Sequence, residues 1–348
     1  MTKEKMKNRN VSLDLLRIAA TVAVITIHIT GLHWMQQDVT SFSWYVYNFF
    51  RTIVRWAVPA FIMISGSLFL NPERAFDVKT LYKKNILRII TAFVFWSLIY
   101  AIYEGDGTIQ TLLKHWIHGS GHMWFVFLIL ALYILLPVMR WIVADRKNEK
   151  IFLIVSFVLG FCIPAILESV PNFFQLQILT GVPLFFMKVV QKGFGWTFYY
   201  CFGWYLMHTS VTGGGKTAVK CLGMLSFVSS FFLFAMYARR LGYAPNEIYD
   251  NISLTVLYET SMIFLLFKEN IRKEFSEMLA RRISLMSKWT FGVYMIHMLV
   301  LWELDKFLGT YNTAPIIEIP LMVILTFLIS LVIVIEIDKI PKLRKYII

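Results

Sequence analysis

Arg17 and His28 are the residues whose types and spacing point most directly to chemistry. They stand eleven positions apart within Leu13–Thr30, LDLLRIAATVAVITIHIT. Eleven steps of about 100° return a helix to within roughly 20° of its start, so both side chains share one face, about 16 Å apart along the axis. A guanidinium is a permanent cation that grips carboxylate or phosphate through paired N–H donors. An imidazole takes up and returns a proton near neutral pH. The segment carrying the pair is apolar and long enough to cross a bilayer, where ionisable groups are costly and mark function by default. A snorkelling arginine and a satisfied interior histidine form the bland alternative, and helix geometry alone does not separate the two.

The chain that must position this pair is built for lipid. Of its 348 residues 58% are hydrophobic, and its mean hydropathy is +0.63. Apolar runs near 20 residues recur throughout, which predicts an all-α polytopic membrane protein of about ten transmembrane helices forming one domain over 1–348. The expected spans are about 12–32, 52–71, 86–103, 123–143, 150–168, 194–210, 220–238, 251–267, 289–305 and 316–335. The 30 Phe, 16 Tyr and 11 Trp fit aromatic belts at the two interfaces. With the N-terminus cytoplasmic, only Arg51, Arg55, Lys114, Lys188, Lys192, Arg239, Arg240 and Lys306 of the 34 Lys and Arg fall outside. The positive-inside rule therefore puts both termini in the cytoplasm. It also explains the net charge of +13 as topology, and no nucleic-acid partner is expected. Residues 1–11 and 338–348 read as cytoplasmic tails, and 268–288 as a cytoplasmic amphipathic helix with Ile271, Phe275 and Leu279 at fourfold spacing. Between 105 and 122 an amphipathic turn or two is expected, and between 172 and 190 an interfacial or re-entrant segment broken by Gly181 and Pro183. The three cysteines, Cys162, Cys201 and Cys221, lie in apolar segments and read as inert thiols rather than a disulfide framework. No secretory signal is expected, since the first apolar segment is full length and lacks a small-residue cleavage site.

Several further motifs carry weight in different degrees. Gly213-Gly-Gly-Lys-Thr217 ends like a phosphate loop, but Ser210 stands where that pattern needs glycine, and a flexible loop is the better reading. His115, His118 and His122 have no carboxylate or cysteine in the cluster, so no metal is expected. His122 stands apart, because it sits where the fourth span begins. In the second span Pro59 can kink the helix, Ser65-Gly66-Ser67 permits close approach of a helix or ligand, and Arg55 lies near the outer end. Lys83, Lys84 and Arg88 enter the third span as a basic cluster, either anchoring at the inner surface or binding phosphate. Glu259 in the eighth span and His297 in the ninth are further intramembrane ionisable groups.

Taken in order, Arg17-x10-His28, Val58-Pro-Ala-Phe-Ile-Met-Ile-Ser-Gly66 and His122-Met-Trp-Phe125 resemble the integral-membrane acyltransferase family 3. So do Tyr199-Tyr-Cys-Phe-Gly-Trp-Tyr205 and Phe291-Gly-Val-Tyr-Met-Ile-His297. The resemblance covers nearly the whole chain. Its stand-alone format is most similar to bacterial O-acetyltransferases of cell-surface glycans, such as the one acting on enterobacterial common antigen. Two positions depart from the family pattern: Ser67 where an aromatic is common, and Thr91 where Arg-Ile-x-Pro is usual.

The resemblance implies a multi-pass enzyme of the bacterial plasma membrane. It would transfer an acyl group, acetyl first, from cytoplasmic acetyl-CoA to a hydroxyl of a cell-surface glycan or lipid-linked saccharide. His28 and Arg17 are then the candidate catalytic residues, with His28 as base or transient acyl carrier. Arg17, Lys84, Arg88 and Ser65 are the candidate donor-binding residues, and Asp14 would orient Arg17. Arg55, His122, Trp124, Tyr200, Glu259, Tyr294 and His297 are candidates for lining the acceptor site or tunnel. The lipid bilayer is the implied partner besides donor and acceptor, and homo-oligomerisation stays open. The rival reading is a transporter of a small polar solute such as serine, since a polar interior also serves translocation. Consumption of acetyl-CoA separates the two.

Overall fold

Asn10 starts the first helix by accepting a hydrogen bond from the Leu13 amide at 3.1 Å. The computed structural model describes residues 10–169, 184–244, 250–269, 275–308 and 314–347. Helix α1, Val11–His33, is the element around which the others gather. Its threonines do not seek partners elsewhere. Thr21 donates to the Arg17 carbonyl at 2.9 Å, Thr26 to Val22 at 3.0 Å and Thr30 to Thr26 at 2.8 Å. Helix α1 packs against α2, Phe42–Ile53, and α3, Ala57–Phe69.

Ser41 caps α2 through the Trp44 amide, and the chain breaks at the turn Val54–Trp56 before α3 resumes. Pro59 accounts for the break, because it has no N–H to give the carbonyl four residues earlier and its ring crowds that position. Pro59 thus lies in the first turn of α3, where proline is tolerated, rather than kinking a single long span. Helix α4, Leu87–Glu104, follows a short turn and a widened stretch over Leu81–Ile86. Helix α5, Ile109–His118, is the amphipathic segment expected between 105 and 122. Helix α6, Trp124–Ala144, is joined by Asp145 alone to α7, Arg146–Phe157, which continues in widened turns on either side of Pro164. Then come α8, Leu184–His208, α9, Gly213–Leu241, and α10, Leu254–Glu269. Helices α11, Glu277–Leu308, α12, Pro315–Asp338, and α13, Pro341–Ile347, complete the chain. Among the described residues there is no β-strand.

The protein is an all-α polytopic membrane protein. Among the described residues seven stretches are long and apolar enough to cross a membrane: Val11–Gln36, Phe42–Phe69, Val78–Glu104, Ile109–Ala144, Arg146–Leu167, Gly213–Leu241 and Pro315–Asp338. Helices α8, α10 and α11 coincide with the three remaining expected spans. Large apolar side chains point outward from α6, α9 and α12, among them Trp141, Met236 and Val332, as lipid-facing surfaces do. Helix α1 is instead enclosed by α2, α3, α10, α11 and α12.

Two expectations change. The amphipathic stretch expected over 268–288 is not a separate helix in its described part, since residues from Glu277 onward run without interruption into the ninth span; 270–274, with Ile271, lie outside the described residues. The C-terminal tail is also structured. The α13 carbonyls of Tyr346 and Ile347 accept from Thr91 Oγ1 and Trp96 Nε1, both at 3.0 Å, docking it on α4. Most of the segment expected at 172–190, with Gly181 and Pro183, lies outside the described residues, and from Leu184 it belongs to α8.

The tightest crossing is between α3 and α8. A Cβ at Gly66 would run into the Tyr200 carbonyl, and one at Gly203 into the Met63 backbone. The two glycines therefore let the backbones touch. Gly66→Ala must push the helices apart and is expected to lower stability by about 3 kcal/mol or more. Thermal unfolding in detergent checks this, and an unchanged midpoint would show that the crossing is looser than described.

Candidate active site

The site begins at the basic end of the bundle with a buried carboxylate. Asp14 on α1 accepts from Ser284 Oγ at 2.9 Å and from Ser287 Oγ at 2.7 Å, both on α11. Arg17, one turn on, lies 3.7 Å from Asp14 and donates to Ser287 Oγ at 3.4 Å. Asp14 therefore does more than pair at a membrane edge, because it ties α1 to α11. Arg17 and Arg88 also both act electrostatically on Tyr133 of α6. Lys84 lies in the widened stretch before α4, with its side chain outside the described residues.

Tyr133 leads inward to Tyr200 of α8. Tyr200 is buried beneath the α3–α8 crossing, and its hydroxyl has no hydrogen-bond partner. Arg140 on α6 flanks it while closing the end of α3, donating to the Phe69 carbonyl at 2.9 Å and to Arg74 at 2.6 Å. Ser65 is spent locally, donating to the Phe61 carbonyl at 2.9 Å.

Farther along α1 three imidazoles converge from three elements. The His28 ring centroid lies 5.1 Å from that of His297 on α11 and 6.2 Å from that of His122, in the turn before α6. His122 and His297 are 5.3 Å apart. Tyr100 on α4 packs edge-on to His122 at 4.9 Å, and the Tyr294 hydroxyl donates to the His122 carbonyl at 2.6 Å, fixing the turn. His297 Nδ1 lies 2.6 Å from the Tyr294 carbonyl. A carbonyl only accepts, so that nitrogen carries a hydrogen and the other, Nε2, offers a lone pair when the ring is neutral. Nε2 is buried without a hydrogen-bond partner. His28 remains partly accessible, whereas His122 and His297 are buried. The arrangement offers proton acceptors, two of them buried and His28 still partly accessible. The described residues contain no group of three or more His, Cys, Asp or Glu with metal-binding geometry.

The other candidates fall elsewhere. Arg55 acts on Glu259, whose carboxylate accepts from Ser230 Oγ at 3.1 Å, so these form a second buried polar group drawn from the Val54–Trp56 turn, α9 and α10. Trp124 is largely exposed and packs on Trp196 with centroids 5.9 Å apart, outside the histidine cluster. Sequence reasoning missed Arg51, which is buried with its guanidinium 4.2 Å above the Trp34 ring. In the sequence it reads as one of the few outer cations, and only the turn at Val54–Trp56 turns α2 inward.

A comparison with known families decides what this arrangement belongs to: the family described as "Acyltransferase domain", family 3, matches residues 10–335. The chain belongs to acyltransferase family 3. Its curated relatives include proteins named "Probable poly-beta-1,6-N-acetyl-D-glucosamine export protein" from Staphylococcus aureus. Those of strains MSSA476 and N315 are 25% identical over 331 residues, covering 92% of this chain and 91% of theirs. That of strain MRSA252 is 24% identical over the same length. No solved structure matches.

The Tyr200 hydroxyl gives this family member a direct test. A buried hydroxyl without a partner carries a desolvation penalty of about 1–3 kcal/mol, so Tyr200→Phe is expected to leave the melting temperature of the ligand-free protein unchanged or raised. A clear fall would reveal a hydrogen bond that the geometry lacks.

Proposed function

We propose that the protein transfers an acyl group, acetyl first, from acyl-CoA to a hydroxyl of a cell-surface glycan or lipid-linked saccharide, with His28 as the base. The observation that carries the reading is the imidazole cluster deep in the bundle of an acyltransferase-family chain, whose His28 shares α1 with Arg17 at the basic end. The residues fit the donor's chemistry. Arg17 and Arg88 supply the cations that phosphates need, the unpartnered Tyr200 hydroxyl suits an amide of the long thin arm, and the histidines lie farther in. With the basic end in the cytoplasm, where the donor is made, the arm reaches along α1 over a rise of about 16 Å.

In the transfer, the acceptor hydroxyl gives its proton to His28 as its oxygen bonds to the thioester carbon. The tetrahedral centre then collapses, the C–S bond breaks with its electron pair on sulfur, and His28 returns the proton to the departing thiolate. His297, at 5.1 Å, and His122 hold the His28 ring. Transfer through an acyl-histidine is the variant route, with the same donor and acceptor. The names of the Staphylococcus aureus relatives favour a β-1,6-linked N-acetylglucosamine polymer as acceptor and the plasma membrane of a bacterium as location. They also supply the second reading, export of such a polymer, which consumes no acyl donor.

Purified protein in liposomes is expected to release CoA from acetyl-CoA when given a β-1,6-linked N-acetylglucosamine oligosaccharide, and mass spectrometry to find acetyl on the sugar. His28→Ala should cut the rate by about 10² to 10⁴. A folded His28→Ala protein with full transfer would sink the mechanism, and polymer movement without donor consumption would establish export instead. At the donor end, Arg17→Ala combined with Arg88→Ala should raise the acetyl-CoA KM about tenfold or more, each lost charge-assisted bond being worth about 1.5–3 kcal/mol. Unchanged affinity would remove both residues from the donor site.

A further inference from the structure

Arg51 lies outside every motif considered above, yet its guanidinium sits beside the histidine face of α1. It is 6% exposed. Trp34, itself 1% exposed and stacked on Trp44 with centroids 6.3 Å apart, lies flat beneath the guanidinium at 4.2 Å. Arg51 Nη1 also lies near α1 at Gly31, where an added Cβ would come within 3.5 Å of it. Gly31 follows His28 by three residues, which on a helix is about 60° around and about 4.5 Å along. Arg51, a permanent cation, and His297 both act electrostatically on His28. A cation buried over an indole and beside α1 is not snorkelling to headgroups.

We propose that Arg51 is a further catalytic residue of the acyl transfer described above, facing the acyl oxygen and stabilising the negative charge that develops on it. The assignment rests on that reading of the site. When the acceptor oxygen bonds to the thioester carbon, the carbonyl π pair moves onto the acyl oxygen while the hydroxyl proton moves to His28. The charges then alternate along the line: imidazolium, oxyanion, guanidinium. As the C–S bond breaks, the pair returns to the carbonyl and the proton goes to the CoA sulfur, so Arg51 ends as it began. The interaction is strongest in the transition state, which is what lowers a barrier rather than merely tightening binding. Stacking on the buried Trp34 ring sets the guanidinium in place before the charge appears, so little reorganisation is needed.

The test measures CoA release by the liposome-reconstituted protein, with acetyl-CoA and the β-1,6-linked N-acetylglucosamine oligosaccharide. Arg51→Gln is expected to lower kcat by about 10² to 10³, the usual loss on removing one oxyanion donor, with the acetyl-CoA KM held within about twofold. Arg51→Lys should recover part of kcat, because it keeps the charge but loses the planar fork. Gly31→Leu, which leaves Arg51 in the chain but sets a branched side chain against its Nη1, should reproduce the kcat loss, and it carries the test if Arg51→Gln does not fold. An unchanged kcat in Arg51→Gln or in Gly31→Leu overturns the assignment, and so does a loss expressed only in the acceptor KM. His28→Ala measured alongside separates the two levels. If it is inactive while Arg51→Gln is fully active, this proposal alone falls. If both are fully active, or the wild-type protein releases no CoA, the acyl-transfer reading falls with it.

Discussion

A carboxylate inside a membrane protein must be paired, because leaving it unpaired costs several kcal/mol. Asp14 meets that requirement with two serines of α11, and the pairing sets how two parallel helices slide against each other. Arg17 to His28 is eleven residues on α1, and Ser287 to His297 is ten on α11. At about 1.5 Å per residue those intervals nearly match. Pinning Asp14 and Arg17 to Ser284 and Ser287 at the basic end thus delivers His28 to His297 at the other, 5.1 Å apart. A slip of one residue would turn either histidine by about 100° and scatter the cluster. The rest of the site inherits its geometry from this register.

Around that pin, the bundle keeps two chemical environments apart on one helix. The guanidiniums stand at the basic end, where they act on Tyr133. The imidazoles lie where water is scarce, and scarcity strengthens any charge interaction made there. Between them the α3–α8 crossing is so close that only glycine fits at 66 and 203, and it holds Tyr200 beneath it. A crossing of backbones is rigid in a way that interdigitating side chains are not, so the middle of the site is set by main chain.

Much of this was legible in the sequence because lipid imposes long apolar runs and a charge asymmetry. The ten runs coincide with ten helical segments, and Arg17 and His28 share a face because a regular helix leaves no alternative. The convergence of His122, Tyr294 and His297 on His28 followed the family motifs, not any spacing, since nothing local brings α6, α11 and α1 together. Arg51 was hidden for a different reason. Phe42–Ile53 carries Ser43, Asn48, Arg51 and Thr52 and falls below the hydropathy of a span, so its inward face is set by the turn ahead of Pro59. Trp124 misled in the opposite sense, because an aromatic beside His122 in sequence points out of the bundle when a helix begins between them. Residues 268–288 looked detachable by charge alone, whereas α11 carries its helix from Glu277 straight into the span.

The threonines of α1 have a consequence for how such a protein is assembled. Because Thr21, Thr26 and Thr30 return their hydroxyls to their own helix, the segment is far less polar to a bilayer than its composition suggests. Its needs reduce chiefly to Asp14 and Arg17 near one end and His28 and His33 toward the other. A helix of that kind can enter lipid first and be recognised later, with each of those groups acting as an address for the neighbour that completes it. Asp14 awaits the serines of α11, and His33 awaits Asp305 of the same helix, which it meets at 2.9 Å. The two contacts lie at opposite ends of α1, so α11 must arrive whole and in one orientation. The polarity that the proposed chemistry draws on is thereby also what proofreads the construction of the bundle.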